Sequence, residues 1–295
     1  MNTLPPETPS VTVIIATRNN ANTLEYAIKS VLWQTFDDFE VWIIGNNCTD
    51  HTESIVQNHM KDPRVHWYNL PLYHPHPSKS YNEGIKRAKG DYIAYLEDTD
   101  VWLPNHLNDH VRHLQSSSTD FGFSIMECKY SFTHADVSIP MPQEKHYAPA
   151  LSTLTHNKAA AERLDYWKET HSQFIDYRVA FLKEARLRHM SFDVVPSLTV
   201  LRFQWSEENY HDVGPQPLFM EQILEDPDFL HKEMSALLYT AYRNLNDSPN
   251  LKSLKSLSYR LMNTTIFWCK LVVRRLQGLF NSIYTLLIKA KGTTA

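Results

Sequence analysis

Three acids stand within four residues at Glu97-Asp98-Thr99-Asp100, directly after the apolar and aromatic run Tyr92-Ile93-Ala94-Tyr95-Leu96. In an extended backbone successive side chains point to opposite sides, so Asp98 and Asp100 would share one side and Glu97 and Thr99 the other. Two convergent carboxylates at a strand end suit a hard divalent cation that also holds phosphate oxygens. The same residues read equally as an acidic, solvated turn before the helix that begins near Asn105. A short motif without its structural context decides nothing between the two.

The elements that would have to position these acids can be read upstream. Val11-Thr12-Val13-Ile14-Ile15-Ala16 is a β-branched run of strand length that stops at Thr17-Arg18-Asn19-Asn20. Asn22, three residues before Glu25, predicts a helix cap, and Leu24, Ala27, Ile28, Val31 and Leu32 repeat at helical spacing. Glu40-Val41-Trp42-Ile43-Ile44 predicts a second strand ending at Gly45-Asn46-Asn47-Cys48-Thr49-Asp50, followed by a helix through Ile55 and Val56. Asp50, with Glu53 three residues on, reads as a cap for that helix. Residues 65–68 predict a short third strand, and residues 70–78 a proline- and histidine-rich loop. Ser80 would cap a helix running through Ile85 and Ala88 to Gly90.

Strand and helix thus alternate four times in the first hundred residues. That pattern builds a largely parallel sheet with helices on its faces. Ligands of such sheets bind beyond the carboxyl ends of the strands. The polar loops at 17–20, 45–50 and 97–100 are therefore expected to converge on one crevice. Neither a G-x-G-x-x-G nor a G-x-x-x-x-G-K-[ST] segment occurs, which disfavours a dinucleotide site and excludes a P-loop. Further on, Pro104 suits the first turn of a helix lined by Leu107, Val111 and Leu114. Residues 121–130 predict a strand, 131–158 a long loop of the kind that serves as a lid or an acceptor-binding segment, and 159–188 mainly helix. Residues 194–201 read as a late strand, and the chain is expected to be helical from about Phe219.

Composition bounds the whole. At 295 residues and 42% hydrophobic content, the chain is expected to form one large α/β domain with an appendage. The division predicted is a flexible tail at 1–10, the α/β domain at 11–215 and a helical extension at 216–295. Met1 to Ser10 has no secretory pattern, and no apolar run approaches the roughly 18 residues of a membrane span. Cys48, Cys128 and Cys269 form no disulfide or zinc spacing, which fits a reducing cytoplasm. The net charge of −4 combines a basic tail with an acidic body. Lys252, Lys255, Arg260, Lys270, Arg274, Arg275, Lys289 and Lys291 stand beyond residue 250, where there is no acid. A basic patch outside the folded body does not describe a nucleic-acid reader. Interleaved with Leu254, Leu261, Trp268, Leu271, Leu276, Phe280 and Leu287, it describes either a helix lying on an anionic membrane at its inner face or a helix packed on the domain.

Several of these segments together resemble successive motifs of the family 2 glycosyltransferases. They are residues 11–18, Leu32-Trp33-Gln34-Thr35-Phe36, residues 39–50, residues 82–84 and residues 90–107, with an echo at Val195-Pro196-Ser197-Leu198-Thr199. The resemblance implies a GT-A-type fold, Rossmann-like and mostly parallel. It also implies a nucleotide-sugar donor, a divalent cation (Mn2+ or Mg2+) and transfer with inversion to a saccharide or lipid-linked acceptor in surface polysaccharide or glycoconjugate synthesis. Carried onto this chain, Thr17, Arg18, Asn19, Asn46, Lys79, Asn82 and Asp98 would hold the donor. Asp98 and Asp100 would hold the metal, which would neutralise the departing diphosphate. Arg18 is the natural partner of phosphate or ribose, against an ordinary surface ion pair. The base that takes the acceptor's proton falls on Asp176, with Asp165 as its rival.

The chain departs from the family pattern in places. Gly45 and Asn46 stand where two acids are usual, leaving the Asn46 amide oxygen as the acceptor for a nucleobase N–H. Thr99 stands where the metal-binding carboxylate is common, so ligation shifts to Asp98 and Asp100 or is weakened or lost. Tyr81 replaces a phosphate-facing arginine, with Lys79 the nearest substitute. These departures keep open a non-catalytic sugar-nucleotide-binding or scaffold protein of the same fold. A nucleotidyltransferase is disfavoured by the lack of a glycine-rich, lysine-ended first loop.

Overall fold

The computed structural model describes residues 8–129, 135–144, 147–169, 176–203 and Gln222. The chain divides into two compact units, Met1–Leu230 and His231–Ala295, and all described residues belong to the first. The basic tail beyond residue 250 therefore lies outside the described residues. Among the described residues, no helix is long and apolar enough to cross a membrane.

The first strands form where β-branched runs predicted them. β1 (Val11–Thr17) lies between β2 (Phe39–Gly45) and β4 (Tyr92–Glu97), parallel to both, and β3 (Val65–Asn69) extends β2 in parallel. β1 is apolar along its length because both of its faces are buried. Val11, Val13 and Ile15 pack with Leu24, Ile28 and Val31 of α1 (Ala21–Leu32), whereas Ile14 packs on the other face. On that face lie Tyr81 and Ile85 of α3 (Ser78–Arg87), while α2 (Thr52–His59) packs its Val56 on the α1 side.

Beyond β4 the sheet is mixed. Among the described residues, β5 (Asp100–Trp102), β6 (Phe121–Lys129), β7 (Ala135–Ser138), β8 (Leu154–Asn157) and β9 (Phe192–Phe203) complete nine strands in the order β3-β2-β1-β4-β8-β6-β9-β5, with β7 beside β6. β8 runs antiparallel to both β4 and β6, β9 is parallel to β6, and β5 is antiparallel to β9. The expected mostly parallel sheet is thus parallel only in its first half. Between β4 and β5 there are two residues in sequence but three strands in the sheet. A flat sheet would separate those two by about 19 Å, and three residues reach about 10 Å at most, so the sheet curls. Gln34 fixes the far side of this corner. Its amide donates to the Leu103 carbonyl at 2.8 Å and accepts from the Leu107 N–H at 3.0 Å, tying α1 to the start of α4 (His106–Ser117).

Four local expectations change. α1 begins at Ala21, one residue before the predicted cap Asn22. α3 begins at Ser78, so Ser80 lies inside it. The stretch 131–158 contains β7, a single 3-10 turn (Leu151–Thr153) and β8, a central strand of the sheet. The expected helix at 159–188 is two, α5 (Lys158–Arg163) and α6 (Tyr177–Leu187).

Candidate functional site

Register brings the strand ends level. Thr17 pairs with Gly45, Gly45 with Asn69, and Ala16 with Glu97. The loops that follow therefore leave from one rim, and side chains stitch them together. The Asn20 amide donates to Asp98 at 3.0 Å. The Thr17 hydroxyl and the Arg18 backbone N–H also face that carboxylate. Asn19, left-handed at φ 54°, accepts from the Thr49 N–H at 2.9 Å. Asp50 accepts from both the N–H and the hydroxyl of Thr52, the first residue of α2; the N-cap itself is His51, one residue after the predicted cap. Burial pushes the half-buried Asp98 carboxyl upward against these donors.

Neutral amides clamp backbone around the same rim. Asn46 donates to the His74 carbonyl at 2.7 Å and accepts from the His74 N–H at 2.9 Å. Asn69 bonds the backbone of Cys48 in the same two-pronged way, and Asn82 that of Trp167. The Asn46 amide oxygen expected to face a nucleobase thus also accepts one hydrogen bond from the 70–78 loop. Asn82 likewise holds Trp167 in place. Arg18, exposed, lies over the ring of Tyr73 in that loop, 3.7 Å from its centre. Lys79 stands in the first turn of α3, 3.9 Å from Glu83. Gly45 is a steric requirement: a Cβ there would meet the Trp67 ring at 2.5 Å and the Asn69 amide oxygen at 2.6 Å. An acid cannot occupy that position while Trp67 and Asn69 stand where they do.

The acids after β4 part company. Residues 98 and 99 form a turn, so the alternation expected of an extended strand fails. Glu97 and Asp100 meet on the guanidinium of Arg202, and Asp98 goes to the β1 loop. Asp100 is 0% exposed. The Nε of Arg202 lies 3.2 Å from both of its oxygens and Nη2 2.9 Å from Oδ2, with the Ser152 hydroxyl donating to Oδ2 at 2.5 Å. Burial and the Asp98 charge push the Asp100 carboxyl up. The Ser152 hydrogen bond pulls the other way, and the arginine fork adds an opposing positive charge. A divalent ion held by Asp98 and Asp100 does not fit these contacts, because the Asp100 oxygens are closed to it. Among the described residues no group of three His, Cys, Asp or Glu side chains could hold a metal ion.

Asp176 is the N-cap of α6 and accepts from the Arg178 N–H at 2.8 Å. The Arg178 guanidinium also grips both of its carboxylate oxygens. Burial works against ionisation, but these bonds hold the Asp176 carboxyl below its usual range. Tyr177, next to Asp176, stacks on Tyr81 with 6.3 Å between ring centres, and the Tyr81 hydroxyl lies within electrostatic reach of Asp98. The rival, Asp165, is paired to Lys168 and fully exposed. Arg202, Ser152, Trp167 and Tyr177 were missed by sequence reading. Only the pairing of Asp100 with Arg202 across β5 and β9 reveals the first of them.

The family model that matches residues 12–185 is Glycosyl transferase family 2. The chain belongs to this family. A Campylobacter jejuni protein, GalNAc(5)-diNAcBac-PP-undecaprenol beta-1,3-glucosyltransferase, is 36% identical over 101 residues, covering 34% of this chain and 33% of its own. The Escherichia coli UDP-Glc:alpha-D-GlcNAc-diphosphoundecaprenol beta-1,3-glucosyltransferase WfaP is 28% identical over 141 residues, covering 48% and 55%. The chain thus spans between a third and about half of the length of these relatives. Among solved structures, S. aureus TarS 1–349 in complex with UDP-GlcNAc is similar with a TM-score of 0.56 at 18% identity, over 66% of this chain and 58% of that one. The fold is therefore of the GT-A type, as the family resemblance implied.

Proposed function

We propose that this chain transfers a sugar from a nucleoside-diphosphate donor to a hydroxyl of a saccharide or lipid-linked acceptor, inverting the anomeric carbon, in surface polysaccharide or glycoconjugate synthesis. The observation that carries this reading is the rim itself. Asp98 is bonded into the β1 loop, and Asp176 stands beside the Tyr81–Tyr177 pair that adjoins it. Thr17, Arg18 and Asn19 would hold the nucleotide, and Arg18 and Lys79 would face the diphosphate. Asn46 and Asn82 would act indirectly, by fixing the 70–78 loop and Trp167. The names of the Campylobacter and E. coli relatives support a lipid-linked acceptor. Such an acceptor suits a site at the cytoplasmic face of a membrane, where the basic tail would dock.

Inversion follows from a single displacement. The acceptor oxygen attacks the anomeric carbon from the face opposite the diphosphate, which leaves with the bonding pair. Asp176 would take the acceptor's proton as that bond forms. Arg178 holds this carboxylate ionised and oriented, so the acceptor hydroxyl has to replace one of the arginine's hydrogen bonds to reach it. No step is assigned to a divalent ion, since Asp100 is closed to one.

Asp176→Asn tests the assignment, because Asn caps a helix about as well as Asp. Turnover is expected to fall by about 10²–10⁴ with donor binding retained; undiminished turnover removes Asp176 as the base. The saturation of Asp176 by Arg178 also favours a second reading, a non-catalytic sugar-nucleotide binder. Donor binding without release of nucleoside diphosphate, over a panel of acceptors, would establish that one.

A further inference from the structure

The corner between β4 and β5 carries three carboxylates, Glu97, Asp98 and Asp100, and a nucleoside diphosphate would have to approach it. An acid corner of this kind accepts a polyanion only if a cation stands between them. A divalent ion is one means. This chain supplies another from its own side chains. Arg202 lies directly across from Asp100 in the antiparallel register of β5 and β9. Its guanidinium bridges Asp100 and Glu97, and its side chain is 15% exposed. Ser152 completes the cage, donating to Asp100 while accepting the Glu97 N–H at 3.0 Å. The remaining position of the motif, Thr99, carries no charge.

An ion seated on Asp100 would have to displace the guanidinium, leaving a nearly buried arginine with Glu97 as its one remaining partner in the fork. Asp98 cannot hold the ion with Asp100, because its own contacts lie toward Thr17, Arg18 and Asn20. We propose that Arg202 is the built-in cation of this rim, so that the chain binds its nucleoside diphosphate without a divalent metal. Arg202 acts here as a positioning residue: it neutralises Glu97 and Asp100 and leaves Arg18 and Lys79 to meet the phosphates. This rests on the donor-site reading above.

The test is isothermal titration of the full chain with UDP, GDP and dTDP, in EDTA and again in Mn2+. The affinity of whichever nucleotide binds is expected to differ by less than about threefold between the two buffers. Tightening by about tenfold or more in Mn2+ overturns the proposal. Arg202→Gln is expected to bind only when Mn2+ is present, a change that general loosening of the fold would not produce. Equal binding by this variant in EDTA overturns the role of Arg202. If the variant does not fold, the wild-type comparison decides. Should no nucleotide bind in either buffer, the donor-site reading falls. Titration of the free protein with Mn2+ then decides this proposal: saturable binding abolished by Asp100→Asn overturns it, and no saturable binding supports it.

Discussion

The two halves of the sheet secure their loops by different means. On the parallel side, neutral amides hold backbone: Asn46 on His74, Asn69 on Cys48, Asn82 on Trp167. On the mixed side, a charged fork holds side chains: Arg202 on Asp100 and Glu97, with both acids drawn from the corner where the halves meet. An amide clamp fixes a loop without setting a charge. The fork fixes the charge of the rim, and so decides what the rim can bind. Removing one partner should therefore cost far more on the second side than on the first.

The largest stability effect is expected at the fork. Arg202→Met leaves Asp100 buried and unpaired and should cost about 3–5 kcal/mol by chemical denaturation. Replacing both, with Asp100→Leu, should recover most of that loss. A loss below about 1 kcal/mol for the single change would make the fork no stronger than a surface pair.

The next effect is in pH. Burial lowers His110 to about 3 and His156 to about 4. His156 bonds the Tyr95 hydroxyl at 2.8 Å, and Trp167 donates to that hydroxyl at 3.0 Å. Unfolded, both histidines take up a proton near 6.5 while the folded chain leaves them neutral. Their contribution is full above that pH and is lost as pH falls from 6.5 toward 4. Stability should drop by about 2 kcal/mol between pH 6.5 and 5.5 from these two alone. A flat profile over that interval would contradict their burial in the neutral form.

Smaller again, Gly45→Ala forces a Cβ against the Trp67 ring and Asn69 and should cost about 1–3 kcal/mol. Smallest is Asn46→Ala, which removes one clamp. It should cost about 1–2 kcal/mol and speed amide exchange in residues 70–78. If Asn46→Ala equals Arg202→Met in cost, the contrast between the halves fails.

The parallel half was legible because its signals are local. β-branched runs such as Val11–Ala16 end in polar loops, and helical spacing between them fixes the alternation. The site was legible only as far as strand ends imply a rim. Which side Asp98 and Asp100 face depends on a turn at 98–99, and no propensity distinguishes that turn from two more residues of strand. Leu154-Thr155-His156-Asn157 has no strand pattern of its own and becomes β8 because β4 and β6 flank it. Arg202 lies 102 residues from Asp100, and only the curl of the sheet brings the two together. Nothing in sequence reveals that Asn46 and Asn82 also clamp the backbone of His74 and Trp167.

The central claim is that the loops after β1, β2 and β4 form one rim that grips a nucleoside-diphosphate sugar. Thermal shift of the full chain across a panel of nucleotide sugars, with Asp98→Ala alongside, tests it most directly. A saturable stabilisation by one nucleotide class, lost in Asp98→Ala while the melting temperature without nucleotide stays within a few degrees, is the result expected. No stabilisation by any donor, or one that Asp98→Ala leaves intact, would contradict it.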